Sequence, residues 1–264
     1  MGRKRACQSH GVLDLPQQEL DGVSTAQTLT SSVYERLKAD VLRCRFEAGA
    51  KLRVLAIAEL YQAGASPVRE ALTRLAGEGL LRQIDKRGFR VPNVSLDDLE
   101  ELTRTRCLIN EVALRQSIQH GDSEWEEGLV LALHYLLREP LQNEAGKRTL
   151  SADYEIKHRN FHRALIAGCR SHWIVDFCET LFDLADRYRH LWTAIDTTNR
   201  DIKAEHAAIA EAALARNADE AVSRMNDHIM LTAQFIADSQ RKRPASAPRG
   251  SRTSRSKPRK SKAK

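Results

Sequence analysis

Apolar positions recur at helical spacing along most of the chain. Val33, Leu37 and Val41, with Tyr34 and Leu42 beside them, form a stripe that predicts a helix capped by Ser31 or Ser32. Gly49 interrupts the pattern. A short helix follows over 54–62, with Leu55, Ile57, Ala58 and Tyr61 expected inside. The segment Gly64-Ala65-Ser66-Pro67-Val68-Arg69-Glu70 then opens a third helix. Ser66 is the expected N-cap, and Pro67 fits the first helical position because its missing N–H is not needed there. Val68, Leu72 and Leu75 form the inner face of this helix, which stops near Gly77 and Gly79. After it the period changes. Residues 80–84 and 89–91 read as two short strands joined by Asp85-Lys86-Arg87-Gly88, and Pro92 closes the unit.

Ser95 caps the next helix, with Asp97 and Asp98 in its first turn. From there the helical pattern is continuous. Helices are expected near 95–120, 123–138, 151–169, 172–194, 199–216 and 218–239. The expected fold is therefore mainly α. A winged helix-turn-helix with a small two-stranded β wing is followed by an all-α antiparallel helical bundle. Four segments result: a flexible N-terminal arm over 1–28, the winged unit over 29–93, the helical domain over 94–240 and a tail over 241–264. The tail is rich in Ser, Pro, Lys and Arg and nearly devoid of apolar residues. It cannot bury enough surface to offset its ordering entropy, so it is expected to be disordered.

Charge changes this picture in one respect. The whole chain carries a formal +7, but 241–264 holds eleven Lys or Arg and no acidic residue. The remainder has 31 basic and 35 acidic residues, a net of −4. The basicity thus belongs to the tail, which suits sequence-independent contact with phosphates. The high pI gives no argument for nucleic-acid binding by the folded body. Five scattered cysteines without a C-x-x-C pair argue against a disulfide framework and for a reducing compartment. The absence of a long apolar run argues against a membrane partner. The expected location is the cytoplasm, in association with the nucleoid.

Three helices and a wing form a plan for entering the major groove with the third helix. Ser66 and Arg69 lie at its leading end, and Arg69 can donate two hydrogen bonds to the O6/N7 edge of guanine. Arg74, further along, suits phosphate, and Arg53 precedes the second helix within reach of base or backbone. The wing tip, Lys86-Arg87-Gly88, suits phosphate or the minor groove.

These residues also carry a family resemblance. The run Ser66-Pro67-Val68-Arg69-Glu70-Ala71-Leu72-Thr73-Arg74-Leu75-Ala76-Gly77-Glu78-Gly79-Leu80, with Arg87-Gly88-Phe89-Arg90-Val91 in the wing, resembles the DNA-binding domain of GntR-family bacterial regulators. Many members carry Ser-Arg just before the helix, whereas Gly64-Ala65 stand here.

In the helical domain four histidines stand out. His158 and His162 are four apart and share one helix face; His206 and His228 lie on two other helices. Imidazoles converging inside a bundle suit a zinc- or nickel-class divalent ion, while the same residues also serve as ordinary core or surface histidines. Residues 95–237 resemble the FCD effector domain of the FadR subfamily of GntR regulators. Its pattern, D-x-x-F-H, then E-H-x-x-I, then a final histidine, implies one Asp and three His ligands to a metal. Here the motifs read His158-Arg159-Asn160-Phe161-His162, Glu205-His206-Ala207-Ala208-Ile209 and His228, so His158 occupies the Asp position. The stretches Ala167-Gly168-Cys169-Arg170-Ser171-His172 and Leu181-Phe182-Asp183-Leu184-Ala185-Asp186-Arg187-Tyr188-Arg189 resemble the branch of repressors responsive to glutarate and related dicarboxylates. A histidine at this position is normal in that branch.

The resemblance also implies an arginine at the place of Arg106 that binds the carboxylate of a small acid, which guanidinium does bidentately. Arg187 and Arg189 are alternatives, although two residues apart they cannot share a helix face. The implied protein is a homodimeric repressor on a near-palindromic double-stranded DNA operator, controlled by a carboxylate or dicarboxylate. Two other classes compete. A zinc hydrolase would need an open metal position and a base, and neither H-E-x-x-H nor a nucleophile elbow is present. A non-specific DNA-packaging protein driven by the tail would leave the wing without a role.

Overall fold

The computed structural model describes residues 18–84, 88–141, 151–192 and 200–242. Most of the expected tail, together with Lys86 and Arg87 at the wing tip, lies outside the described residues. Among the described residues the chain forms nine helices and three short strands, so it is mainly α as expected.

The N-terminal unit comprises α1 (Gln18–Leu42), β1 (Lys51–Leu52), α2 (Val54–Tyr61), α3 (Ala65–Gly77), β2 (Arg82–Ile84) and β3 (Gly88–Arg90). Its core is the expected one: Val33, Leu37 and Val41 of α1, Ile57 and Tyr61 of α2, and Val68, Leu72 and Leu75 of α3, closed by Leu80, Leu81, Phe89 and Val91. Several local expectations are corrected. The α1 backbone is helical from Gln18, so Ser31 and Ser32 lie inside the helix and do not cap it. The upstream residues lack an apolar stripe but also lack a proline, and a helix once formed propagates through such a stretch at one hydrogen bond per residue. Leu55 is exposed, because the eight-residue α2 touches α3 only along its Ile57–Tyr61 face.

The cap of α3 is also displaced. Gly64 is the N-cap, with Val68 N–H donating to its carbonyl, and Ser66 makes no capping bond. Pro67 falls at the third helical position, still among the N–H groups that have no intrahelical acceptor. The wing has three strands rather than two, in the order β1-β3-β2 and antiparallel throughout. Lys51 pairs with Arg90, and Leu52 with Phe89. A two-residue strand has no alternation to read, so only the fold reveals it. Gly88 has φ +91°, and a Cβ there would stand 3.0 Å from the Leu52 carbonyl oxygen, so the close approach of β3 to β1 needs glycine.

The second unit is an all-α bundle: α4 (Leu96–His120), α5 (Ser123–Arg138), α6 (Ala152–Ile166), α7 (His172–Trp192), α8 (Ile202–Leu214) and α9 (Ala218–Lys242). Side-chain caps set four of the starts. Ser95, Asp122, Ser151 and Asp201 accept from the backbone N–H three residues on. Helix α4 packs on both α7 and α9, α5 on α6 and α8, and α8 on α9. The core between them includes Leu114, Trp125, Leu129, Phe161, Leu165, Ile209 and Met225.

The ends of α4 and α6 meet closely. A Cβ on Gly168 would lie 2.8 Å from the Ser117 carbonyl oxygen and 3.0 Å from the Gly121 Cα, both backbone atoms that cannot swing aside. Gly168→Ala is therefore expected to cost about 1–3 kcal/mol, the usual range for overpacking. Urea denaturation measures this directly; an unchanged midpoint would disprove the close approach.

Candidate functional site

The outer face of α3 presents Ser66, Arg69, Thr73 and Arg74 to solvent, while Val68, Ala71, Leu72 and Leu75 hold it on the core. Arg53, at the start of α2, is also exposed. The expected reading residues Arg53, Ser66, Arg69 and Arg74 thus stand on the surface of one unit, beside a wing that begins again at Gly88. Arg74 differs from Arg69. Its guanidinium lies 3.8 Å from the Tyr34 ring centroid, and its Nε donates to Glu78 Oε1 at 3.2 Å. Arg69 makes no side-chain hydrogen bond or ion pair among the described residues, which leaves its donors free for an outside acceptor.

The four histidines converge. His158 and His162 project from α6, His206 from α8 and His228 from α9; all are buried, and one ligand nitrogen from each falls within 4.8 Å of the others. The Nε2 atoms of His158 and His162 are 3.1 Å apart. Tyr154 stacks on His158, and Phe182 of α7 lies 5.6 Å from His158 and 5.4 Å from His162 between ring centroids. Burial, followed by mutual repulsion and nearby arginine charge, pushes His158 and His162 well below the ordinary histidine pKa; burial and the His228 charge do the same to His206. Neutral imidazole is the form that offers a lone pair to a metal.

Two further observations fit a metal. Among the described residues His206 finds no hydrogen bond of normal geometry at either ring nitrogen, although it is fully buried. An interior polar group of this kind calls for a partner. His228 is oriented from behind: Glu205 Oε2 lies 2.8 Å from its Nδ1, leaving Nε2 for the centre. A carboxylate on the far nitrogen is the usual support of a ligating histidine. Around a single ion with bonds of about 2.0–2.1 Å, no two ligand nitrogens can be more than about 4 Å apart, so the cluster needs only a small contraction.

Glu205 is in turn clamped by Arg200, whose Nε and Nη2 each approach one carboxylate oxygen at 2.6 Å. Burial alone would raise the Glu205 pKa, but the Arg200 and His228 hydrogen bonds outweigh it and hold the carboxyl down to about 2. Neither Arg200 nor Glu205 stood out in the sequence as a site residue. The only trace is the Glu before His206; Arg200 lies outside any helix and follows no periodic pattern.

The three candidate arginines separate. Arg106 reaches the centre from α4: its Nε is buried without a hydrogen-bond partner among the described residues, its guanidinium lies 5.6 Å from the Phe182 ring centroid, and its charge acts on His162 and His228. Burial lowers its pKa to about 10, which leaves it cationic at neutral pH. Arg189 also reaches the centre, with Nη1 3.3 Å from His158 Nδ1. Arg187 does not. It is buried elsewhere, donating to the Pro92 carbonyl between the two units at 2.5 Å, so it leaves the effector set. Successive α-helical residues turn by about 100°, and the two-residue offset carries it to another face.

Known proteins match this chain in both units. Residues 29–91 match the model for bacterial regulatory proteins of the gntR family, and residues 101–230 match that of the FCD domain. The transcriptional regulator BphR of Paraburkholderia xenovorans strain LB400 is 33% identical over 214 residues, 78% of this chain and 84% of its own. The HTH-type transcriptional repressor GlaR of Escherichia coli K12 is 33% identical over 214 residues, 79% of this chain and 96% of its own. The solved structure of E. coli McbR/YncC has the same fold, with a TM-score of 0.65 at 19% identity, covering 80% of this chain and 98% of that one. A GntR regulator from Rhodococcus sp. RHA1 aligns with a TM-score of 0.62 at 19% identity, over 79% and 97%. With both domain families matched in order and relatives aligned along most of its length, this chain belongs to the GntR family of bacterial regulatory proteins, as a DNA-binding helix-turn-helix transcriptional regulator with an FCD domain and not an enzyme.

Proposed function

We propose that this regulator is a repressor whose hold on its operator is relaxed by a small dicarboxylate bound beside a divalent ion in the helical domain. The supporting observation is the convergence of four buried, neutral histidines next to a buried arginine nitrogen that lacks a partner. Residues 29–93 serve DNA and residues 94–240 serve sensing. Residues Arg53, Ser66, Arg69 and Arg74, with the wing residues Lys86, Arg87 and Gly88, meet the duplex. Two copies, related by a two-fold axis, read the halves of a near-palindrome.

His158, His162, His206 and His228 would hold a zinc- or nickel-class ion. When bound, the ion supplies a Lewis-acidic position for carboxylate oxygens. Four neutral ligands leave its full charge uncompensated at the centre, which favours an anion more than an aspartate-containing set would. Arg106 and Arg189 bind the acid's carboxylates, Arg106 with the donor that has no partner among the described residues. Phe161 and Phe182 exclude water from the pocket wall, which strengthens every charge interaction inside it. Glu205 holds His228 in the ligating tautomer. Glu205→Gln is accordingly expected to weaken zinc binding by about 10- to 100-fold, measured by competition with a chromophoric chelator.

A thermal-shift screen of organic acids, with and without zinc or nickel, tests the reading. A ligand that binds only the folded state raises the melting temperature. The expected result is a shift with metal and a larger one with metal plus a dicarboxylate such as glutarate. No shift with any acid or metal would overturn it.

A further inference from the structure

Charged side chains of alternating sign connect the histidine cluster to the end of the recognition helix. At the cluster, Arg189 lies 3.3 Å from His158 through Nη1 and 2.6 Å from Asp186 Oδ1 through Nη2. Asp186 Oδ2 also accepts from Arg159 Nη2 at 3.2 Å. The same Arg159 nitrogen lies 2.5 Å from Asp183 Oδ1, and Asp183 Oδ2 lies 2.7 Å from Lys38 Nζ. Lys38 crosses from α1 of the DNA-binding unit and donates to Glu78 Oε2 at 3.1 Å. Glu78 caps the C-terminus of α3 and accepts from Arg74, the expected phosphate contact, at 3.2 Å.

Two features make this more than a row of surface ion pairs. The first is burial. Asp183 is 6% exposed, Asp186 12%, Arg189 13% and Lys38 23%, so solvent screens these inner charges weakly and water replaces a lost partner poorly, whereas Arg74 at the outer end is 62% exposed. The second is sharing. Arg159 and Lys38 each stand between two carboxylates, and Arg189 between Asp186 and the His158 ring, so loss of one contact loosens and tightens successive joints in alternation. The joint between the units also has room: a cleft of about 290 Å³ lies there, lined by Arg82, Asn93, Asp98, Leu184, Arg187 and Tyr188.

We propose that Lys38 and Asp183 are positioning residues for DNA reading, through which the state of the histidine site sets the availability of Arg74. An anion at the site draws Arg189 away from Asp186. Asp186 then takes a larger share of Arg159, and Asp183 loses it. Asp183 compensates by holding Lys38, which leaves Glu78. Glu78 in turn tightens on Arg74 and removes it from the DNA backbone. The direction of this chain is release from DNA. It rests on the proposed binding of an acid at the cluster, but its ionic links are testable without any acid.

The test is a double-mutant cycle read as affinity for a duplex selected from random sequence by the wild-type protein. Arg189→Gln removes the charge at the sensor end, as an anion would. It is expected to weaken DNA binding about tenfold, within the range of measured couplings between sites. In an Asp183→Asn background the same substitution should change affinity by less than about twofold, because the chain is already cut. Lys38→Gln cuts it at a second, less buried place and should abolish the coupling equally, which covers a folding defect in the Asp183 variant. Arg189→Lys, which keeps the charge, should restore much of the affinity. Equal effects of Arg189→Gln in the intact and cut backgrounds, including no effect in either, would overturn the proposal, since a merely structural fastening of α1 to α7 gives additive losses. Calorimetry of the wild type with zinc and glutarate separates the two readings. A non-additive cycle without glutarate binding keeps the ionic chain and removes the acid; glutarate binding with an additive cycle does the reverse.

Discussion

Replacing Arg69 by Ala is expected to abolish specific DNA binding and leave the fold intact. Arg69 is exposed on the leading turn of α3 and makes no side-chain bond within the described residues, so its removal costs the protein almost nothing. A bidentate arginine–guanine contact is worth about 1–3 kcal/mol, and the proposed two-fold complex would lose it twice. The selected duplex should therefore bind at least about tenfold more weakly, while binding to random DNA, driven by phosphates, changes little. Specificity collapses while residual affinity remains salt-sensitive. Fluorescence anisotropy with specific and scrambled duplexes measures both. An Arg69→Ala protein that still prefers the selected duplex would place base reading elsewhere on the surface.

The second large effect concerns the histidine centre. A metal at about 1,000 times its dissociation constant stabilises the native state by about 4 kcal/mol. For a chain of this size each kcal/mol raises Tm by about 2–4 °C, so zinc should lift the transition by about 10 °C. His206→Asn should eliminate most of that shift, because His206 is fully buried with both ring nitrogens lacking normal hydrogen bonds. The Arg69→Ala protein should retain the shift in full. Scanning fluorimetry against a zinc titration, beginning from chelator-treated protein, gives the comparison. A full zinc shift in His206→Asn would remove the four-histidine site from the account.

These two predictions draw on features that were unequally visible in the sequence. The recognition helix was legible because its chemistry is local: apolar spacing at Val68, Leu72 and Leu75, a proline near the start and Gly79 past the end all act within a few turns. Its cap lies at Gly64, two residues before the expected Ser66, since Gly64 follows the left-handed turn at Gln62 and can cap without a side chain. The four histidines were legible as a set, because the motifs around them mark three separate helices of one bundle. Their support was not. Arg200 sits just ahead of α8, and nothing in its local sequence shows that it clamps Glu205. Arg187 shows the converse: its charge is visible in the sequence, but its direction, toward the Pro92 carbonyl, follows from how α7 meets the linker. The strand at Lys51–Leu52 and the exposure of Leu55 belong to the same class, set by packing between elements and not within them.

Arg189 and Asp186 connect the two units. They touch the histidine centre on one side and the ionic path to α1 on the other, both from α7. Under the proposed function, a ligand would alter DNA binding only through its differential affinity for the two states of that arrangement.

Whether the helical domain controls DNA binding is decided by titrating the protein–operator complex with a dicarboxylate in the presence of zinc and following the anisotropy of a labelled duplex. The proposed function predicts that glutarate or a close dicarboxylate releases the duplex saturably, and that Arg106→Ala protein binds the duplex normally yet fails to release it. Release that persists unchanged in Arg106→Ala, or a complex indifferent to every acid that stabilises the free protein, would contradict it.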